Sequence, residues 1–325
     1  MNNNIEFKPD GFFKNGHFQT VYSALFHNPT ELKNSEAVMI KTEENTTIGC
    51  EYNKAENAKN ACTILIHGLE GSTESNYIVS TSKKLLAKGI SVLRMNIRNC
   101  GGTMHLTNTF YNAGLTHDVN EIIKYCQEKL GHEKIYIVGY SLGANTVLKL
   151  AGESNYHQSL AGVVAVSPPL DLSMCANAII RPDNKIYDLY YVRRMRRTYR
   201  KKKEFFPELV NLELLNKVRN LYDFDEYITG PLFNYKNAED YYSQNSSLRF
   251  LVNIKVKTLI IQSKDDPIIP FKCTEEALKI ENPNIQYLIT EHGGHVGFIN
   301  SLKSALKDHD RFWAENRIVD FITLN

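Results

Sequence analysis

Three short stretches of this chain carry residue types that can act together as nucleophile, acid and base. "VGYSLGAN" holds Ser141 between Gly139 and Gly143, "SKDDPIIP" holds Asp265 and Asp266, and "EHGGHVGF" holds His292 and His295. A serine hydroxyl is a poor nucleophile at neutral pH. It needs a base to take its proton and an acidic group to orient that base. The Gly-x-Ser-x-Gly run follows the strand-like "IYIV" and opens the helix-like "LGANTVLKLA". That is the strand-turn-helix setting of a nucleophile elbow, whose partners follow in the order serine, carboxylate, histidine. A plain helix N-cap is the other reading of Ser141.

Asp266 begins Asp-Pro-Ile-Ile-Pro, a tight exit from an apolar strand, and is preferred as the orienting acid; Asp265 is expected to be a solvated turn residue. His295 follows Gly293-Gly294, which lets its loop come close to a site, and is preferred to His292 as the base. A zinc site on His292 and His295 lacks a third ligand at fitting spacing, so no metal and no cofactor are expected. An oxyanion hole needs two N–H donors, one just after the nucleophile and one from the loop after the third strand. Here these are the backbone N–H groups of Leu142 and, in "HGLEGS", Leu69. His67 is expected to brace that loop, and Glu70 to point away from a site where its charge would oppose an oxyanion.

The elements that must position these residues alternate. Runs rich in Val, Ile and Thr predict strands near 36–42, 47–52, 62–67, 90–96, 134–139, 161–167, 257–263 and 284–290. Helical periodicity predicts helices near 76–88, 116–130, 142–153, 271–280 and 311–322. The first two strands are close enough for an antiparallel hairpin, and the rest demand right-handed crossovers in a mostly parallel sheet. Such a sheet carries its site at the carboxyl ends of the strands.

Residues 171–250 break the alternation. Tyr187, Tyr191, Met195 and Tyr199 recur at i+4, as do Val210, Leu214 and Val218, so two or three amphipathic helices are expected there. Placed after the sixth strand, this insertion is expected to cap the carboxyl edge of one domain spanning 1–325. "RRMRRTYRKKK", Arg193 to Lys203, reads as the solvated side of such a helix; contact with a membrane surface is the alternative. Thr116 and Asp118 are expected to start a helix, with Thr as cap and Asp near the positive end of the dipole.

The chain has 325 residues and a net charge of +2, too small a field to argue for nucleic acid. Six cysteines form no CxxC pair or regular framework, and Cys62 and Cys126 fall inside apolar patterns, which points to a reducing compartment. No leader pattern or long apolar run is visible, so a cytoplasmic protein is expected.

Together, these stretches make the chain resemble the α/β-hydrolase superfamily and, more narrowly, its YheT-like branch. "FFKNGHFQTVYSAL", "HGLEGS", "YNAGLTHDV", "GYSLGAN", "YDFDEYITGPL", "YYSQNS", "SKDDPIIP" and "GGHVGF" carry the resemblance over nearly the whole chain. It implies an α/β-hydrolase fold with an eight-stranded, mostly parallel sheet flanked by helices and a helical cap after strand 6. It also implies hydrolysis of carboxylic esters, lipid esters among them, by Ser141, Asp266 and His295. His17, in the first of these segments, is expected to be structural. One departure stands at "MNIRNCGGT", where the branch has Arg-Gly and this chain has Arg98-Asn99; a reshaped loop and pocket are expected there. An acyltransferase or thioesterase would use the same residues, and a non-catalytic binding protein is a third reading.

Overall fold

The computed structural model describes residues 6–153, 155–305 and 308–325. Eight strands form one sheet: β1 (Glu36–Glu43), β2 (Thr46–Asn53), β3 (Ala61–Ile66), β4 (Ser91–Met95), β5 (Lys134–Tyr140), β6 (Leu160–Val166), β7 (Thr258–Ser263) and β8 (Ile285–Thr290). They are ordered β1-β2-β4-β3-β5-β6-β7-β8. β1 pairs antiparallel with β2, and β2 antiparallel with β4; every other neighbour pair is parallel. All eight expected strands are present to within a residue or so at each end.

Alternation along β5 shows how the sheet feeds two cores. Ile135 and Ile137 point to one face, where they meet Val119 and Ile123 of α3 (Thr116–Glu128) and Val147 and Leu148 of α4 (Leu142–Glu153). Tyr136, Val138 and Tyr140 point to the other, against Ile78 and Leu85 of α2 (Asn76–Ala87) and the C-terminal helix Trp313–Leu324. Burying one such aliphatic side chain contributes roughly 1.5–3 kcal/mol, so the central parallel strands are held from both faces. All six cysteines are free thiols within this packing, with Cys62 and Cys126 fully buried. Among the described residues no helix is long and apolar enough to cross a membrane.

The longest described helix outside the sequence expectations is α1 (Gly16–Phe26), capped by Asn15, whose side chain accepts from the Phe18 N–H. Its buried residues are Gly16 and Gln19, so it has no apolar stripe for periodicity to find.

The stretch between β6 and β7 is helical but more broken than two or three helices. It contains α5 (Leu172–Ile179), α6 (Lys185–Lys202) and shorter helices over Leu212–Lys217, Leu221–Phe224 and Ala238–Asn245. Asn211, Asn220 and Asn237 each cap a new start by accepting from backbone N–H groups two or three residues on. Val210 and Val218 sit in extended backbone at the two ends of one short helix rather than on a shared helical row. Both are still buried.

Two further expectations change. Thr116 is the first residue of α3 rather than its cap, and its hydroxyl donates to Glu153 at 2.6 Å. Asp118 lies in the first turn of α3, but its larger role is a buried fork with Arg98, at 2.6 and 2.7 Å.

Candidate active site

Ser141 sits between the end of β5 and the start of α4 with φ +52°, a left-handed conformation uncommon for a residue with a Cβ. The flanking glycines are required by the closeness of that turn. A Cβ on Gly139 would lie 2.2 Å from the Gly143 carbonyl oxygen. One on Gly143 would lie 2.7 Å from the carbonyl oxygens of Ile66 and His67, at the end of β3.

The Ser141 hydroxyl is 2.9 Å from His295 Nε2, and His295 Nδ1 is 2.9 Å from Asp266 Oδ2. With Nδ1–H donating to the carboxylate, Nε2 is left as an acceptor for the serine O–H. Asp266 has a fully buried side chain. Its other oxygen accepts from the N–H groups of Ile268 and Ile269 at 2.8 and 2.9 Å, so the Pro-bounded turn after β7 orients the carboxylate. The structure thus brings together Ser141, Asp266 and His295 and leaves Asp265 and His292 aside. Asp265 accepts from the Gly294 N–H at 2.9 Å, shaping the histidine loop instead of standing free in solvent. His292 is partly exposed and 3.4 Å from Asp265. Among the described residues no cluster of three or more metal-ligating side chains forms.

The loop after β3 abuts the serine: a Cβ on Gly68 would lie 3.0 Å from the Ser141 Cβ. Leu69 and Leu142 line the same cavity as Ser141. Leu142 is the first residue of α4, where a backbone N–H has no intrahelical acceptor. His67 holds the loop from below. Its Nε2 accepts from the Ile97 N–H at 3.1 Å, so Nδ1 donates to the Gly68 carbonyl at 2.7 Å. Burial lowers its pKa to about 4, keeping it a neutral brace. The Glu70 carboxylate turns toward α6, accepting from the hydroxyls of Tyr111 and Thr198, both at 2.8 Å.

Two positioning residues escaped the sequence reading: Gln19 and Thr20 of α1. The Thr20 hydroxyl accepts from the His295 N–H at 2.8 Å. Gln19 accepts from the Ile299 N–H at 2.8 Å and donates to the Ile299 and Phe13 carbonyls at 3.1 and 2.7 Å. They hold a loop in which Val296 and Phe298 have φ +62° and +44°, conformations that bulky L-residues rarely adopt. Only the "NGHFQT" segment itself signalled them. His17 of the same helix meets Tyr187 of α6, Nδ1 to hydroxyl at 2.9 Å.

The cavity above Ser141 is about 750 Å³, including its open mouth, and most of its lining is apolar, from α5, α6 and the turns around them. None of residues 98–102 lines it, so Asn99 is not part of its wall. Asn99 takes φ +67°, which asparagine tolerates better than most side chains, and accepts from Lys202 Nζ at 2.6 Å. Lys202 is the buried member of the basic run, its pKa lowered to about 8 by burial; Arg193, Arg194, Arg197, Arg200, Lys201 and Lys203 are exposed.

Residues 64–302 match the family model described as the alpha/beta hydrolase fold. The chain belongs to the α/β-hydrolase family. It is 29% identical to YheT of Escherichia coli over 99% of this chain and 94% of that protein. A monoacylglycerol lipase of Saccharomyces cerevisiae is 29% identical over 72% of this chain, which spans 54% of the lipase. Among solved structures, the Pyrococcus furiosus esterase Pf2001 superposes with a TM-score of 0.57 at 17% identity, covering 89% of this chain and 92% of that one; that likeness is one of fold. The expected resemblance to YheT-like α/β-hydrolases is therefore met along nearly the whole length, as is the expected fold.

Proposed function

We propose that this protein is a serine hydrolase of carboxylic esters, with Ser141 as nucleophile, His295 as general base and acid, and Asp266 as the group that orients the imidazole. The observation that carries this reading is the unbroken chain from Ser141 Oγ to His295 to Asp266, 2.9 Å at each link, at the floor of an apolar cavity. The ester class is supported by relatives named as a monoacylglycerol lipase and as the phospholipase ABHD3.

In the proposed cycle Ser141 Oγ attacks the ester carbonyl carbon as its proton passes to His295 Nε2. The negative charge on the carbonyl oxygen is met by the N–H groups of Leu69 and Leu142, each worth about 3 kcal/mol in the transition state. Asp266 stabilises the imidazolium. His295 then protonates the departing alcohol, and a water activated by His295 releases the acid. The helices over residues 171–250 act as the cap that walls off bulk water and holds the acyl or alcohol chain.

Turnover of p-nitrophenyl acyl esters by the wild-type protein and its loss in Ser141→Ala test the reading; retained turnover overturns it. One relative, 26% identical, is named a medium-chain fatty acid ethyl ester synthase/esterase, which favours an acyl-transfer variant of the same chemistry. Ester formed in the presence of added ethanol measures that branch directly.

A further inference from the structure

The apolar cavity above Ser141 has one feature that ester cleavage does not use. Among the described residues lining it, Asp225 is the one carboxylate. It is 7% exposed, and one oxygen accepts from the Tyr242 hydroxyl at 2.8 Å. Among the described residues no lysine, arginine or histidine pairs with it. Burial raises its pKa to about 6, against the hydrogen bonds from Thr229 and Tyr242 that pull it down.

The backbone around it is also unusual. Asp225–Thr229 forms a single π-helical turn between the helix Leu221–Phe224 and Gly230-Pro231. Pro231 has no N–H to give to the carbonyl four residues back, so a regular α-helix cannot run through this point. Such widened turns recur at functional sites.

A pocket built only for a hydrocarbon chain would gain from Leu or Met at this position. A carboxylate kept there without a cation costs free energy that a ligand donor can recover. A hydroxyl suits this place better than an ammonium. The groups already on Asp225 are hydroxyls, from Tyr242 and Thr229. Stripping an ammonium of water for an apolar chamber with a single carboxylate is far more expensive than stripping a hydroxyl.

Resting on the esterase reading above, we propose that Asp225 recognises a hydroxyl group on the substrate, making this cavity selective for hydroxylated esters over esters of plain hydrocarbon. The hydroxyl has two chemical sources: a polyol alcohol moiety, as in a partial glycerol ester, or a hydroxylated acyl chain. Asn112 lies on the same lining, its side-chain oxygen engaged by the Gly114 N–H at 2.7 Å, which leaves its amide to assist as a donor.

Binding rather than turnover tests this, so that its failure is separable from failure of the hydrolase reading. In Ser141→Ala protein, esters bind without being consumed. Isothermal titration calorimetry there compares methyl octanoate, 1-monooctanoylglycerol and methyl 8-hydroxyoctanoate. One hydroxylated ester is expected to bind at least tenfold more tightly than methyl octanoate, and which one identifies the source of the hydroxyl. Adding Asp225→Leu is expected to reduce that preference to twofold or less. Asp225→Asn, which keeps the shape and one acceptor oxygen, is expected to retain a preference of a few fold. Equal affinity for all three esters with Asp225 in place overturns the proposal. So does a preference that survives Asp225→Leu, or an equal loss of all three ligands in both Asp225 variants.

Discussion

Ser141 and His295 are 2.9 Å apart, yet they are held in different ways. The serine turn is fixed by its own neighbourhood: strand β5 before it, helix α4 after it, and glycines two residues to either side that let the two pack. The histidine loop is held also from the far end of the chain. Thr20 takes the His295 N–H across 275 residues of sequence, and Gln19 clasps Ile299 across 280. Asp265 and Ser263 tie Gly294, and Ser167 accepts from the Val296 N–H, so α1 adds a second grip to a loop whose Val296 and Phe298 take positive φ. The nucleophile is therefore part of the sheet's own stability, while the base leans also on the docking of α1.

Substitutions can separate these two supports, beginning with the largest effect. His295→Ala removes the base itself, and kcat/KM for p-nitrophenyl butyrate is expected to fall by about four orders of magnitude or more. Gly143→Ala attacks the local support. The new Cβ would meet backbone oxygens of Ile66 and His67 at 2.7 Å, which cannot step aside as a side chain can. A loss of roughly 1–3 kcal/mol in stability is expected by denaturant titration, with activity down about a hundredfold.

Thr20→Val attacks the remote support. It leaves the His295 N–H without an acceptor, and kcat is expected to fall about tenfold while the far-ultraviolet spectrum is unchanged. Thr20→Ser, which keeps the hydroxyl, should restore most of it. Equal damage from Thr20→Val and Thr20→Ser would remove the distinction between the two regions.

The smallest effect concerns the other end of α1. His27 stacks on Phe312 with ring centres 3.6 Å apart and lies 3.7 Å from buried Glu315, which also receives Ser80 and Lys84. Burial raises the Glu315 pKa to about 7 and lowers that of His27 to about 4. For Glu315 the folded protein binds the extra proton between about 4.5 and 7, so its contribution to stability falls as pH rises through that window. For His27 the unfolded chain binds more protons between about 4 and 6.5, so its contribution rises with pH. The two slopes oppose each other from about 4.5 to 6.5. Glu315→Gln removes one of them. Its melting temperature should climb between pH 4.5 and 6.5 more steeply than that of the wild-type protein, by a few degrees.

The same contrast explains what the sequence made legible. The strands announce themselves by β-branched runs, and the serine turn by glycines whose spacing is dictated within five residues. Asp266 and His295 follow from their order and from the turn chemistry around them. α1 was not legible as an element, because the side it buries is Gly16 and Gln19 and its exposed side carries Phe18, Val21, Leu25 and Phe26. Gln19 is buried for its hydrogen bonds, and periodicity counts only oil. The broken helices over 171–250 were unreadable in detail for a similar reason. Asparagine N-caps at 211, 220 and 237 start new short helices and so break the apolar rows, while tertiary packing still buries Val210 and Val218. Asp118 read as a helix-start residue because its partner, Arg98, lies 20 residues away in another loop.

The central claim is that Ser141 is a nucleophile activated by His295, and covalent labelling with site mapping tests it most directly. The folded protein, treated with an alkyl fluorophosphonate and digested, should carry a single phosphonyl adduct on the Ser141 peptide. Thr20→Val protein should label several-fold more slowly and His295→Ala protein not at all. An adduct on another serine, or undiminished labelling of Ser141 in His295→Ala, would contradict the account.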